Sequence, residues 1–182
     1  MKQMNLITVA GLKDTGKTTV VEAIVSELSR RGRKVGTIKT MRHRSDSLNA
    51  RGTDTYRHAE AGASVVVAIH ADGTSRFERC APPDSLADVS ELFPRDVSLL
   101  VSEGVIDALD PQLVVVCLKE LSALPQTLST RRLATSSVVA IAGPAASFWD
   151  PSLLPGAPAF DVTNPAQKQA LVDMLLNKID RV

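Results

Sequence analysis

This sequence lacks a large net charge of either sign. Its 182 residues include 21 Lys and Arg against 20 Asp and Glu. The chain therefore has no large field for holding nucleic acid or a membrane surface. One local basic patch remains, formed by Arg42, His43, Arg44 and Arg51. We interpret it either as a solvated loop or as a segment that contacts phosphate.

Cysteine is scarce as well, and long apolar runs are absent. Cys80 and Cys117 lack CxxC spacing, which argues against a zinc site or a disulfide framework, and we expect both to be buried, reduced thiols. No apolar run approaches the roughly 20 residues that span a bilayer. The first apolar run, Asn5–Ala10, is too short and wrongly flanked for a signal peptide. The sequence predicts a soluble, cytoplasmic protein with a single domain over residues 1–182.

The spacing of apolar residues predicts an α/β fold, a mostly parallel sheet wrapped by helices. Leu6–Ala10 reads as a strand that ends at Gly11, and helical spacing then continues to a stop near Gly32. Lys34–Ile38 follows as a second strand, which completes a βαβ unit with parallel strands. Later apolar patterns predict strands at Val97–Val101, Leu113–Leu118 and Val138–Ala142, an edge strand at Ala159–Val162, and a closing helix at Pro165–Ile179.

An insertion of a different character interrupts this pattern. Asp54–Ala61 is typical of a helix that stops at Gly62. Two β-rich runs then flank Asp72-Gly73, which is a strong hairpin signal. We expect an antiparallel hairpin over about residues 64–80, added to the parallel sheet, and then a short helix capped by Asp84.

The segment Gly11–Thr18 reads GLKDTGKT and fits the pattern GxxxxGK[ST] between a strand and a helix. Its glycines allow backbone N–H groups to turn inward around phosphate oxygens. Lys17 would reach the β- and γ-phosphates, Thr18 would ligate Mg²⁺, and the helix N-terminus adds its dipole. The motif predicts a P-loop nucleotide site whose ligand-contacting residues are Gly11, Asp14, Thr15, Gly16, Lys17, Thr18 and Thr19.

A P-loop usually works with an acidic residue at the end of a neighbouring strand, which holds Mg²⁺ directly or through water. Asp96 precedes the predicted strand Val97–Val101, whereas Glu103 follows it. Ligands of open α/β sheets bind at the carboxyl edge of the strands. We therefore choose Glu103 as the metal ligand and, with Lys17, as a catalytic residue; an ordinary turn glutamate is the alternative.

Three stretches together resemble a known family. They are GLKDTGKTT with its helix, the segment Asp54–Ala63, and Val101-Ser-Glu-Gly104. The sequence resembles the MobB family, P-loop proteins associated with building the guanine dinucleotide form of the molybdenum cofactor. The resemblance covers most of residues 4–105. Lys39 matches the family's pattern and joins the expected nucleotide-binding residues, but Thr40 stands where the family has histidine, which leaves His43 as a substitute. Val105-Ile106 stands where the family commonly has Phe-Lys.

The resemblance implies GTP binding with Mg²⁺, weak intrinsic hydrolysis, dimerisation, and partnership with the enzyme that joins a nucleotide to molybdopterin. The chain has no clear NKxD motif, the usual guanine reader of Ras-like proteins. Guanine preference is therefore implied by the family alone. Base contacts could come from residues 143–147 or from Thr163 and Asn164, although these segments also read as ordinary turns.

Two other functions remain open from the sequence. A small-molecule kinase would hold ATP in the same cradle, with residues 42–51 as the only candidate for an arginine-bearing lid. A non-catalytic nucleotide sensor would change partner on binding. His58 and His70 show no metal-ligand spacing, so we assign no transition metal.

Overall fold

The chain divides into two compact units in a computed structural model, which describes residues 4–41, 51–78, 80–106, 109 and 111–180. The first unit comprises residues 1–40 and 84–182, and the second comprises residues 41–83. The predicted basic patch members Arg42, His43 and Arg44 lie outside the described residues, as does most of the lid candidate. Arg51 is described and exposed. The interpretation of the chain as a single domain stays a prediction.

A five-stranded parallel sheet forms the centre of the first unit, in the order β2-β5-β1-β6-β7. Its strands are β1 (Asn5–Gly11), β2 (Val35–Lys39), β5 (Leu99–Glu103), β6 (Leu113–Cys117) and β7 (Val138–Ala142). The residues of β7 are all buried, as expected for a strand covered by structure on both faces. The predicted parallel sheet is confirmed.

Helices α1 (Lys17–Arg30) and α5 (Pro165–Ile179) cover one face of this sheet. Ile24 of α1 and Leu171 of α5 are fully buried in the same core cluster as Val9 and Val101. Truncating such a leucine to alanine typically costs about 2–5 kcal/mol. Asn164 caps α5 by accepting hydrogen bonds from Ala166 N and Gln167 N, and Pro165 occupies the first turn, as predicted.

Helices α3 (Leu86–Glu91) and α4 (Leu124–Arg131) belong to two further core clusters. The cap of α3 is Ser85, whose hydroxyl accepts from Asp88 N, so the prediction that Asp84 caps this helix was wrong. Helix α4 was not predicted from the apolar spacing. Pro125 in its first turn and its many polar residues hide the helical pattern. None of the helices in the described part of the chain is long and apolar enough to cross a membrane.

The second unit contains α2 (Asp54–Glu60) and the strands β3 (Val65–His70) and β4 (Gly73–Glu78). The antiparallel hairpin is confirmed, but among the described residues it forms a separate two-stranded sheet and is not added to the parallel sheet. Its packing partner is α2, since Ala59 of α2 and Val66 of β3 are buried.

Two further expectations fail for local reasons. Cys80 is exposed, because it follows the end of β4 and precedes Pro82; Cys117 is buried as expected. The predicted edge strand Ala159–Val162 is reduced to a bridge between Ala159 and Ile141. After that bridge the backbone turns away at Asp161, whose carboxylate accepts hydrogen bonds from Thr163 N and Oγ1.

A buried carboxylate links the end of α1 to α5. The Glu27 side chain is only 2% exposed and accepts hydrogen bonds from Arg30 and Arg31 at 2.7 Å. Arg31 also donates to Asp173 of α5 at 2.5 Å. Hydrogen bonds from Arg30 and then Arg31 lower the pKa of Glu27 from an ordinary value of 4.5 to about 2.

Because the folded-state pKa of Glu27 is depressed, its stabilising contribution is present above the unfolded pKa of 4.5 and is lost as pH falls through about 2. Glu27→Gln should therefore be less stable than the wild type at pH 7, and the difference should shrink between about pH 4.5 and 2. Urea midpoints measured across this range test the prediction. Glu22→Gln, on the exposed face of the same helix, is the control and should show no such convergence.

Candidate phosphate-binding site

The loop between β1 and α1, residues 12–16, has a backbone that can surround an anion. We call this loop, together with the start of α1, the cradle. Gly16 immediately precedes α1 with φ of 83° and ψ of 16°, a left-handed conformation that favours glycine. Asp14 also has a positive φ, 58°. Left-handed residues that alternate with ordinary ones, as Asp14 and Gly16 do on either side of Thr15, can turn successive backbone N–H groups toward a common centre, which suits an anion.

Gly11 is glycine because there is no room for a side chain. A Cβ at this position would lie 2.5 Å from Thr15 Oγ1 and 2.7 Å from the carbonyl oxygen of Cys117. Thr15 is itself buried and donates to the carbonyl of Leu12 at 3.1 Å. The start of the loop is therefore packed directly against the end of β6.

Lys17 extends along this loop and donates to the carbonyl of Leu12. Partial burial lowers the pKa of its ammonium group, and the nearby positive charge of Arg131 lowers it further. The hollow in front has a volume of about 350 Å³ and is lined by Lys13, Asp14, Thr15, Gly16, Lys17, Thr18 and Glu103. The structure thus brings together most of the predicted residues. Thr19 lies exposed in the first turn of α1.

Glu103 is the last residue of β5, and β5 lies between β1 and β2. Its register partners are Val9 and Lys39. Its carboxylate accepts a hydrogen bond from Thr18 Oγ1 at 3.1 Å and lies 3.4 Å from Lys39 Nζ. The predicted position of Glu103 at the carboxyl edge, beside the cradle, is confirmed; its role in metal binding stays a prediction.

Asp96 lies at the opposite end of this part of the sheet. It precedes β5 and forms an ion pair with Lys34, which precedes β2. Across a five-residue strand, a rise of about 3.3 Å per residue separates the two ends. Asp96 therefore does not join Glu103 at the cradle.

The oxygen atoms of Thr18 and Glu103 suit a magnesium ion. Mg²⁺ prefers oxygen ligands, usually one or two protein groups together with water and substrate phosphates. Within the described ranges, no group of three or more His, Cys, Asp or Glu side chains could hold a metal ion. A site shared between this pair and a nucleotide fits the donor set better than a cage made by the protein alone.

Arg131, the last residue of α4, is a site residue that sequence reasoning missed. Its Nε and Nη2 donate to the carbonyl of Gly11 at 3.0 and 2.7 Å. The contact joins residues that are 120 positions apart. In the sequence, only the pair Arg131-Arg132 marks this position. Such a pair does not indicate which residue either arginine contacts.

The loop after β7 lies against the cradle. A Cβ on Gly143, whose φ is 86°, would lie 2.6 Å from the carbonyl oxygen of Thr15. Gly143 and Pro144, at the start of the segment 143–147, are thus close to the predicted phosphate site. Thr163 and Asn164, the other candidates for base contacts, make local hydrogen bonds at the start of α5.

A family model decides which family the chain belongs to. The MobB model, described as molybdopterin guanine dinucleotide synthesis protein B, matches residues 6–143. The chain belongs to the MobB family. The matched range includes the cradle, Glu103 and Arg131, so the site described above lies within the part of the chain that is similar to MobB.

Curated relatives are similar over a shorter range. The molybdopterin-guanine dinucleotide biosynthesis adapter protein of Haemophilus influenzae is 30% identical over 99 residues, 54% of this chain and 55% of that protein. A putative adapter protein of the same kind from Methanocaldococcus jannaschii is 32% identical over 106 residues, 58% of this chain and 43% of that protein. The chain spans about half the length of these curated relatives.

Solved structures agree with the fold. The crystal structure of Bacillus subtilis MobB matches with a TM-score of 0.69 and 23% identity, covering 94% of this chain and 98% of that one. At this level of identity the likeness concerns architecture. It confirms the predicted α/β fold of the MobB type.

The close approach at Gly143 gives a prediction. Gly143→Ala should destabilise the protein more than Gly156→Ala. Both glycines have φ of 86°, where an L side chain is strained by about 1–3 kcal/mol, and the ψ of −173° at Gly143 lies in a region essentially confined to glycine. A Cβ at Gly143 would also collide with the carbonyl oxygens of Thr15 and Leu118 at 2.6 and 2.8 Å, whereas Gly156 has nothing within 4 Å. Urea unfolding measures the difference, and equal losses would contradict the tight packing of this loop.

Proposed function

We propose that this protein is a GTP-binding accessory protein of molybdopterin guanine dinucleotide synthesis, acting in the cytoplasm with weak Mg²⁺-dependent GTP hydrolysis. The observation that carries the proposal is the hydrogen bond between Thr18 and Glu103 at the mouth of the cradle. It joins the residue expected to ligate magnesium to the carboxylate expected to assist it. Membership of the MobB family supplies the pathway.

Different residues of the cradle bind different parts of a triphosphate. Backbone N–H groups from Asp14 to Thr18 surround the phosphate oxygens, with the positive end of the α1 dipole behind them. Lys17 leaves the carbonyl of Leu12 and donates to the β- and γ-phosphates. Thr19, exposed at the first turn of α1, contacts the phosphate nearest the ribose.

Thr18 and Glu103 hold magnesium from the side of β5. A magnesium ion supplies positive charge that offsets the charge developing on the transferred phosphoryl group. Lys39, 3.4 Å from Glu103, keeps that carboxylate oriented toward Thr18. Lys39 and Thr18 are exposed, and electrostatic stabilisation is weaker in a wet site than in a closed one. This exposure supports a slow rate of hydrolysis.

The guanine base, the partner and the oligomer are proposed by analogy with the MobB family. We keep residues 143–147 as the candidate for base contacts, since Gly143 at the start of that segment lies against Thr15 of the phosphate loop. The names of the curated relatives describe adapters in molybdopterin-guanine dinucleotide biosynthesis. We therefore assign as partners molybdopterin and the nucleotidyltransferase that joins a nucleotide to it, and we assign a homodimer as the assembly.

Calorimetric titration with GTP and ATP in the presence of Mg²⁺ tests this function. The wild type should prefer GTP. Lys17→Ala should stay folded and bind GTP roughly tenfold to a hundredfold more weakly, because a charge-assisted hydrogen bond is worth about 1.5–3 kcal/mol. Lys178→Ala, an exposed lysine in the last turn of α5 and outside the phosphate loop, is the matched control. Equal affinity for both nucleotides, together with rapid phosphorylation of a metabolite, would instead identify a kinase.

The two acidic residues give a second test. Glu103→Gln keeps the shape of the side chain but loses the charge that holds the hydrated cation, so Mg²⁺-dependent hydrolysis should fall while the melting temperature changes little. Asp96→Asn removes a carboxylate at the other end of β5 and should leave hydrolysis unchanged. Steady-state phosphate release reports both variants. Equal losses in the two would rule out a specific role for Glu103.

A further inference from the structure

Arg131 is the last residue of α4 and contacts the backbone at the start of the phosphate loop. It lies one helical turn beyond Thr127 and two beyond Leu124, which are buried in the core. Side chains of a helix lean toward its N-terminus. The guanidinium therefore extends back along α4, and two of its nitrogens donate to the Gly11 carbonyl at 3.0 and 2.7 Å.

The Gly11 carbonyl is an acceptor at a critical position. Gly11 is buried and is the last residue of β1, directly before the phosphate loop. A carbonyl turned into the loop would present negative charge to an anion. The fork of Arg131 holds this carbonyl toward α4, which leaves the following N–H groups free to face the cradle. Two N–H groups in the rigid geometry of one guanidinium converge on the same oxygen, which fixes its orientation better than a single donor would.

The same guanidinium places a second positive charge close to Lys17. The Lys17 ammonium is close enough for the Arg131 charge to lower its pKa, after the larger effect of burial. Charges within about 8–10 Å interact at physiological salt, and partly buried charges are screened less. Arg131 thus adds a positive charge from α4 to those that Lys13 and Lys17 contribute from the loop itself.

We propose that Arg131 is a positioning residue of the phosphate site, which orients the start of the loop through Gly11 and biases the site toward ligands with several phosphates. The inference rests on the proposed function in one respect, that the cradle binds phosphate chains. Arg131 lies outside the P-loop motif, and its positive charge would favour ligands with more phosphate groups.

The test compares tripolyphosphate, GTP and GMP as ligands of the wild type, Arg131→Gln and Arg131→Lys. Arg131→Gln loses both the fork and the charge, so we expect about tenfold weaker binding of tripolyphosphate and GTP and only about threefold weaker binding of GMP. Arg131→Lys keeps the charge and loses the fork, so we expect a loss of about threefold for all ligands, with the preference for triphosphates retained. A purely structural role would lower the melting temperature without changing the ratio of triphosphate to monophosphate affinity.

Arg132→Gln is the control, since Arg132 is exposed and follows α4 in a left-handed conformation; it should bind like the wild type. Unchanged ratios in a folded Arg131→Gln variant would overturn the inference. If that variant does not fold, Arg131→Lys decides, and wild-type affinity in it would overturn the positioning role. The proposed function fails separately if wild type and Lys17→Ala bind GTP equally. A wild type that binds neither tripolyphosphate nor GTP would overturn both.

Discussion

The strand order of the sheet is the constraint on which the site depends. Because β5 is inserted between β2 and β1, Glu103 lies next to both the strand that leads into the cradle and the strand that ends at Lys39. A parallel sheet places the ends of all its strands at one edge. The side chains of Thr18, Lys39 and Glu103 come from three distant segments of the chain. They meet at this edge because of the strand order, and no long or flexible loop is needed to bring them together.

Much of this arrangement could be predicted because its signals are local. The strand, glycine-rich loop and helix at residues 5–30 are encoded by apolar spacing and two glycines, and the cap of α5 by Asn164-Pro165. The choice of Glu103 over Asp96 required only the direction of β5. These features depend on the direction of the chain and on the periodicity of its apolar residues, and both can be read directly from the sequence.

Other features depend on tertiary contacts and could not be read from the sequence. Arg131 acts across the fold, on a helix whose proline and polar residues conceal it. The tight approach of Gly143 to Thr15 depends on how two loops pack. The hairpin was predicted correctly as a hairpin, but whether it joins the main sheet depends on which apolar partner it finds, and α2 supplies that partner.

The point at which the insertion leaves the first unit has an evolutionary consequence. Residues 41–83 depart directly after Lys39 and Thr40, yet both residues are held by β5, through the register pair of Lys39 with Glu103 and the hydrogen bond from Thr40 N to Glu103 O. Mutations that reshape the insertion therefore need not displace the cradle. Sequence changes within the insertion can therefore accumulate while the backbone contacts of Lys39 and Thr40 with β5 are kept.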